Sequence, residues 1–154
     1  MKLDSKIHTC LWFDRDAVEA ARFYTSLFPD SDLISISPIS SGPASGQALV
    51  EFAIAGRRFT AVDGGPMYRF SPAISFVINC ESQVEIDRYW KELTNGGIGQ
   101  PCGWLRDRFG VSWQVVPDCL GELMGRNPER VTEVLLGMEK IEIAPLRAAA
   151  GLSE

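Results

Sequence analysis

The sequence predicts an α+β protein: two βαβββ repeats that form a cupped mixed sheet, plus C-terminal helices. Two helical segments share a residue pattern at an offset of 66 positions, which pairs Val18 with Val84 and Leu27 with Leu93. Two hairpin segments also match when Gly56 is set on Gly110. Each repeat alone would leave one sheet face bare, so we expect the two repeats to share a curved sheet.

The first predicted unit spans residues 7–66 and starts with an apolar run that is typical of a buried strand. A helix follows, and Asp14 or Asp16 is its expected N-cap. Apolar residues then alternate with serine, which predicts a half-buried strand. The predicted elements are a strand at 7–13, a helix at 17–28, a half-buried strand at 33–39, and a hairpin of 48–54 with 57–63.

The second predicted unit spans residues 73–117 and repeats this order. An apolar strand is expected at 73–79, and Ser82 with Glu85 forms a capping-box pattern that opens a helix ending near residue 93. The unit closes with a hairpin whose turn runs from Asp107 to Gly110. Residues 118–154 form a helical extension, in which apolar residues keep helical spacing between 131 and 141.

Composition narrows the function classes. The chain has 154 residues, which suits a single domain (1–154), and its formal net charge is −5. This balance argues against a nucleic-acid or anionic-membrane surface, because both require clustered Lys and Arg. No apolar run approaches a membrane span, and the start lacks the pattern of a signal peptide, so we expect a cytoplasmic protein. One histidine, His8, leaves little scope for His-based catalysis.

Four segments carry a family resemblance: LWFDRDAVEAARFYTSLFPDS, VDGGP, PAISFVINC and CGWLRDRFGVSWQVVP. With the two βαβββ units, they resemble the vicinal oxygen chelate superfamily, which includes glyoxalase I, bleomycin-resistance proteins and extradiol dioxygenases. More narrowly, they resemble its PhnB-like subfamily, which is often labelled 3-demethylubiquinone-9 3-methyltransferase. The resemblance covers nearly the whole chain. It implies a glyoxalase-like fold, and the homodimer that is common in the superfamily.

The resemblance also implies where a metal would be held. Metal-dependent members place ligands on the first and last strand of each unit, facing the inside of the cup. Counted from the helix and from the Asp-x-x-Gly turn, these positions fall on Thr9, Thr60, Ser75 and Gln114. Three hydroxyls and a neutral amide are poor ligands for a divalent metal. We therefore predict no metal site and no cofactor, although a divalent metal stays an alternative.

Three functions follow as hypotheses. The first is a metal-free small-molecule site, formed by the four polar positions with Glu51, Trp104, Phe70 and Tyr68. The second is a metal-dependent lyase, isomerase or dioxygenase, which requires Glu51, Asp63 or His8 to converge on the cup. Strand parity with Thr9 places His8 on the opposite face, so we expect it to be a packed or edge histidine. The third is the methyltransferase of the subfamily label, which the sequence disfavours because Gly64-Gly65-Pro66 does not lead into a helix. Whether any reaction is catalysed stays open, and no catalytic residue is assigned.

Overall fold

The structure is a computed structural model that describes residues 5–153. The chain divides into two compact units, with the boundary between Phe70 and Ser71. The first unit contains β1 (Thr9–Phe13), α1 (Ala17–Leu27), β2 (Asp32–Pro38), β3 (Ala48–Ile54) and β4 (Arg57–Asp63). The second contains β5 (Phe76–Cys80), α2 (Gln83–Thr94), β6 (Ile98–Gly99), a 3-10 turn (Pro101–Gly103), β7 (Trp104–Arg106), β8 (Ser112–Pro117), α3 (Leu120–Arg126), α4 (Pro128–Leu136) and α5 (Ile143–Ala149).

The two units have the same sheet topology. The strand order is β1-β4-β3-β2 in the first sheet and β5-β8-β7-β6 in the second. In each sheet the first and last strands of the repeat pair in parallel, and the remaining pairs are antiparallel. The predicted α+β class and the βαβββ repeat are therefore confirmed.

Each sheet has a near face, which packs on the helix of its own unit, and a far face, which points away from that helix. Alternate residues of a strand point to opposite faces. In the first unit the near face is the buried one: Phe52 and Phe59 stack at 5.4 Å between ring centroids beneath α1. In the second unit Leu105, Trp113 and Val115 occupy the near face and are buried with Ile86 of α2. Burial on this scale contributes about 1.5–3 kcal/mol per large side chain.

The helix α1 is capped from another strand. Asp16 occupies the N-cap position but its side chain makes no capping hydrogen bond. Instead, the backbone N–H of Ala17 donates to Oδ1 of the buried Asp63 at 2.8 Å. The prediction that the side chain of Asp14 or Asp16 caps the helix is wrong, because the end of β4 places the Asp63 carboxylate at the first turn.

The helix α2 begins as predicted. Ser82 Oγ accepts from the N–H of Glu85 at 3.2 Å, and Glu85 Oε2 accepts from the N–H of Glu81 at 2.7 Å. The reciprocal bonds satisfy two backbone donors at the start of the helix. The capping-box prediction is confirmed, with the carboxylate reaching one residue beyond the N-cap.

The strand β2 is not half-buried. Every one of its residues is exposed, including Leu33, Ile34 and Ile36, although the alternation of apolar residues with serine predicted one buried face. The strand lies at the edge of its sheet, and α1 packs chiefly on β3. A strand in which apolar and polar residues alternate has one apolar and one polar face, but the pattern does not show whether another element covers the apolar face.

The C-terminal extension forms a small core of its own. Leu123, Val131, Ile141, Leu146 and Ala149 are buried together, and Val116 of β8 packs against them. The helix α4 ends at Leu136, before Gly137, so the predicted helical spacing does not continue to Met138 and Ile141. These residues belong to an irregular segment, and its carbonyls at Met138 and Glu139 accept from the N–H groups of Cys102 and Gly103 at 2.8 and 2.7 Å.

Gln83 joins this segment to α2. Its Nε2 donates to the carbonyl of Ile141 at 3.0 Å, and its Oε1 accepts from the N–H of Ile143 at 2.8 Å. Nearby, Lys140 pairs with Asp87 at 2.6 Å, which raises the pKa of Lys140 and lowers that of Asp87. The extension is therefore fastened to the second unit by backbone and side-chain hydrogen bonds.

Candidate ligand-binding site

Gln114 lies at the centre of the far face of the second sheet. The β8 register sets it beside Val77 on β5 and beside Trp104 on β7. Its side-chain Nε2 donates to Ser75 Oγ at 2.9 Å, and all three of Ser75, Trp104 and Gln114 are partly buried. The structure thus brings together three of the residues that the sequence selected for binding.

A second polar row lies one step along the same face. Arg106 of β7 is paired with Ser112 of β8, and both alternate with the buried near-face residues. Sequence reasoning missed this pair. The signal was available, since Ser112 and Arg106 stand two residues from Gln114 and Trp104 and must therefore share their face.

The far face of the first sheet carries another row of polar side chains. The registers align Cys10, Thr60, Glu51 and Ser35 across β1, β4, β3 and β2. Thr60 and Glu51 are partly buried, whereas Cys10 and Ser35 are exposed. Thr60 is the repeat equivalent of Gln114, since each lies four residues after the glycine of its hairpin.

Thr9 does not belong to this row. It pairs with Phe59 and therefore lies on the near face with Leu11 and Phe13, opposite to Thr60. Phe59 and Trp113 are repeat equivalents, and Trp113 pairs with Phe76, so Thr9 corresponds to Phe76 and His8 corresponds to Ser75. The assignment of Thr9 to the cup was wrong because the connection from β5 to α2 is one residue shorter than that from β1 to α1.

His8 consequently has a different position from the one expected. It directly precedes β1 and is exposed, and continued alternation assigns it to the far face with Cys10. The sequence had assigned it to the opposite face by parity. The four symmetric positions are therefore His8, Thr60, Ser75 and Gln114.

The residues of the metal hypothesis do not converge. Glu51 lies on the far face, but Asp63 lies on the near face, where it caps α1. In the part of the chain that the structure describes, no group of three or more His, Cys, Asp or Glu side chains is placed to hold a metal ion. Burial, followed by the nearby charges of Glu85 and Asp118, raises the pKa of Cys80 to about 12, so this thiol is not a ready metal ligand.

A shallow depression lies elsewhere, in the first unit. It has a volume of about 430 Å³ and is lined by Asp14, Arg15, Pro43, Ala44, Gln47, Asp63, Gly64 and Gly65. The N–H groups of Gly64 and Gly65 already donate to the carbonyls of Phe13 and Asp14, at 2.9 and 3.2 Å. The glycine turn therefore has no backbone donor left for a ligand phosphate or carboxylate.

The glycine turn has a structural reason. A Cβ at Gly64 would lie 2.2 Å from the ring of Trp12, whose Nε1 donates to the Gly65 carbonyl at 2.9 Å. Tyr68 packs edge-on against Trp12, and Phe70 against Phe13, each pair at 5.1 Å. Tyr68 and Phe70 were expected to wall the site with Trp104. Within the first unit they hold the segment after β4 onto β1, and their part in walling a site stays a prediction.

These features define the class. Two βαβββ units, in each of which the first and last strands of the repeat pair in parallel, form the fold of the vicinal oxygen chelate superfamily. The family described as 3-demethylubiquinone-9 3-methyltransferase matches residues 5–116. The chain belongs to this family, the PhnB-like family of the superfamily.

Several solved structures are similar to this chain. A Bacillus cereus protein described as PhnB and as a 3-demethylubiquinone-9 3-methyltransferase is 35% identical, with a TM-score of 0.67, covering 73% of this chain and 99% of that one. Protein PA1353 from Pseudomonas aeruginosa is 22% identical, with a TM-score of 0.63, covering 75% and 98%. The fosfomycin resistance protein FosX from Listeria monocytogenes, complexed with Mn(II) and sulfate, is 19% identical, with a TM-score of 0.51, covering 74% and 92%. A search of curated proteins found no match.

The similarity to FosX shows the shared fold, and it raises the question of a metal. Of the four symmetric positions in this chain, only His8 is a usual metal ligand, while Thr60, Ser75 and Gln114 offer neutral oxygens. These residues do not fit a divalent metal centre.

No helix within residues 5–153 is long and apolar enough to cross a membrane. The cytoplasmic location stays a prediction from the sequence.

Proposed function

We propose that this protein binds a small organic molecule on the far face of its second sheet, without a metal ion. The proposal is based on the hydrogen bond between Gln114 and Ser75 beside the indole of Trp104. A polar group held in one orientation next to a half-buried aromatic ring is typical of small-molecule sites.

The hydrogen bonding leaves Gln114 with capacity for a ligand. One N–H of its amide is engaged by Ser75, so Oε1 can accept a bond and the second N–H can donate one. Trp104 offers an aromatic surface on the same face, which suits a planar or apolar group. These residues bind and orient; no acid-base pair or nucleophile on this face supports a particular reaction.

The test is a fragment screen by protein-observed NMR, with the indole N–H of Trp104 and the amide of Gln114 as reporters. We expect bound fragments to shift both signals in the wild type. Gln114→Leu should weaken binding about tenfold, because it removes a buried polar partner of the ligand. Gln47→Leu is the matched control, since it makes the same change at the depression of the first unit. Loss of binding in Gln47→Leu alone would contradict the proposal.

Metal content separates this proposal from the metal-dependent alternative. We expect protein purified without an affinity tag, then soaked with zinc, nickel, manganese or iron and desalted, to contain far less than one equivalent of metal. The reason is the neutral donor set at Thr60, Ser75 and Gln114. Elemental analysis measures the metal content per chain. One equivalent that is lost in His8→Ala would establish the metal-dependent enzyme as the better account.

Methyl transfer does not form part of the proposal, although the family description contains that word. The Gly64-Gly65 turn follows a strand, but the described chain continues into turns and irregular segments rather than a helix. Its backbone donors are also engaged within the first unit. The turn therefore lacks the anion-binding helix N-terminus that dinucleotide-type sites use.

We also propose that the protein forms a homodimer through the edge strand β2. This edge presents the exposed side chains of Leu33, Ile34 and Ile36, and an unpaired strand edge favours pairing with another chain. Light scattering after size exclusion should give twice the 17.0 kDa chain mass at micromolar concentration. Ile36→Lys should give the single-chain mass. A wild-type monomer under these conditions contradicts the dimer.

A further inference from the structure

We infer that the ligand of the second sheet is a small organic anion, whose acid group is bound by Arg106 and Ser112. The inference rests on the proposed function and specifies its ligand class. The register makes Arg106 and Ser112 direct neighbours on the far face, one step from Trp104 and Gln114. A ligand whose acid group is bound by Arg106 and Ser112 has the rest of its structure over the Trp104 indole and the Gln114 amide.

Ser112 is a buried polar group without an internal partner. Only 3% of the residue is exposed, and its hydroxyl makes no hydrogen bond with any side chain or backbone group of residues 5–153. No fully enclosed side-chain oxygen or nitrogen in that range lacks a partner, so this hydroxyl keeps some contact with solvent. A hydroxyl in such a position needs a partner from outside the fold.

Arg106 supplies the charge. Its guanidinium forms no ion pair or hydrogen bond within the described residues, in contrast to Lys140 and Arg126, which are paired with carboxylates. It is the only charged residue on the far face of β5, β7 and β8 in the described second unit, although the chain as a whole carries a net charge of −5. A guanidinium fork with nearby hydroxyls matches carboxylate and phosphate geometry.

The experiment compares matched pairs of small acids and their neutral amides: benzoate with benzamide, and nicotinate with nicotinamide. Each is titrated into wild-type protein, Arg106→Gln and the control Arg22→Gln, which removes an exposed charge from α1. NMR shifts at the Trp104 indole and the Gln114 amide give the dissociation constants. The same spectra report whether each variant is folded.

We expect each acid to bind the wild type about tenfold more tightly than its amide, as one charge-assisted hydrogen bond provides. Arg106→Gln should abolish this difference, and Arg22→Gln should preserve it. Equal binding of acid and amide, or an unchanged preference in Arg106→Gln, overturns the anion inference but leaves the proposed function standing. Failure of every probe to shift either reporter overturns both.

Discussion

Asp107→Ala is expected to lower the free energy of unfolding of the second unit by about 3 kcal/mol. Asp107 is only 3% exposed, and its carboxylate accepts hydrogen bonds from two backbone N–H groups of the hairpin turn and from an indole. Its Oδ1 accepts from the N–H groups of Phe109 and Val111 at 2.9 and 3.0 Å, and its Oδ2 accepts from Trp113 Nε1 at 2.8 Å. Alanine leaves all three donors without this acceptor. Urea unfolding, followed by tryptophan fluorescence, measures the loss.

The double variant Asp107→Asn with Trp113→Phe isolates the indole contribution. Asparagine can still accept both backbone bonds through Oδ1, but its NH2 group replaces Oδ2, so two donors then face each other at the indole N–H. Phenylalanine has no such donor. We therefore expect Asp107→Asn to cost about 1 kcal/mol less in the Trp113→Phe background than in the wild type. Additive effects of the two substitutions would show that the buried Asp107–Trp113 bond contributes nothing to stability.

Gly103→Ala is the second substitution with a large expected effect. Gly103 has a φ of +80°, and a Cβ there would lie 2.6 Å from the Val115 carbonyl oxygen and 2.8 Å from Ile141 Cδ1. The backbone of β8 blocks one side, and the buried core of the extension blocks the other. Overpacking and the left-handed conformation together should cost about 3 kcal/mol in urea unfolding.

Gly121→Ala is the matched control for Gly103→Ala. Gly121 lies in α3, and a Cβ at that position would meet nothing within 4 Å. We expect alanine there to stabilise the protein by about 0.5–1 kcal/mol, because glycine is a poor helix former. Equal stability of Gly103→Ala and the wild type would contradict the close packing of the extension on the second sheet.

The repeat could be predicted from the sequence because its helices conserve their spacing: α2 begins 66 residues after α1. The same offset failed at the strands before these helices. One residue fewer between β5 and α2 moves Thr9 out of equivalence with Ser75, and a shift of one residue reverses the face of a strand. Helix periodicity does not report the length of a connection.

The exposure of β2 and the cap of α1 could not be predicted from the sequence either. The exposure of Ile36 depends on β2 being an edge strand, which is a property of the sheet order and not of the local pattern. The cap of α1 comes from Asp63, 46 residues from Ala17, so no local motif reports it. Ser75 and Gln114 were both selected from the sequence as positions facing the cup, and the structure adds the hydrogen bond between them, whereas their role in binding stays a prediction.

The most direct test of the proposed site is a crystal structure of the protein soaked with its tightest-binding fragment. We expect electron density for the fragment against the Trp104 indole, within hydrogen-bond distance of the Gln114 amide, and no metal ion between the two. Density at the depression beside Gly64 and Gly65, or a metal ion bound by His8, would contradict it.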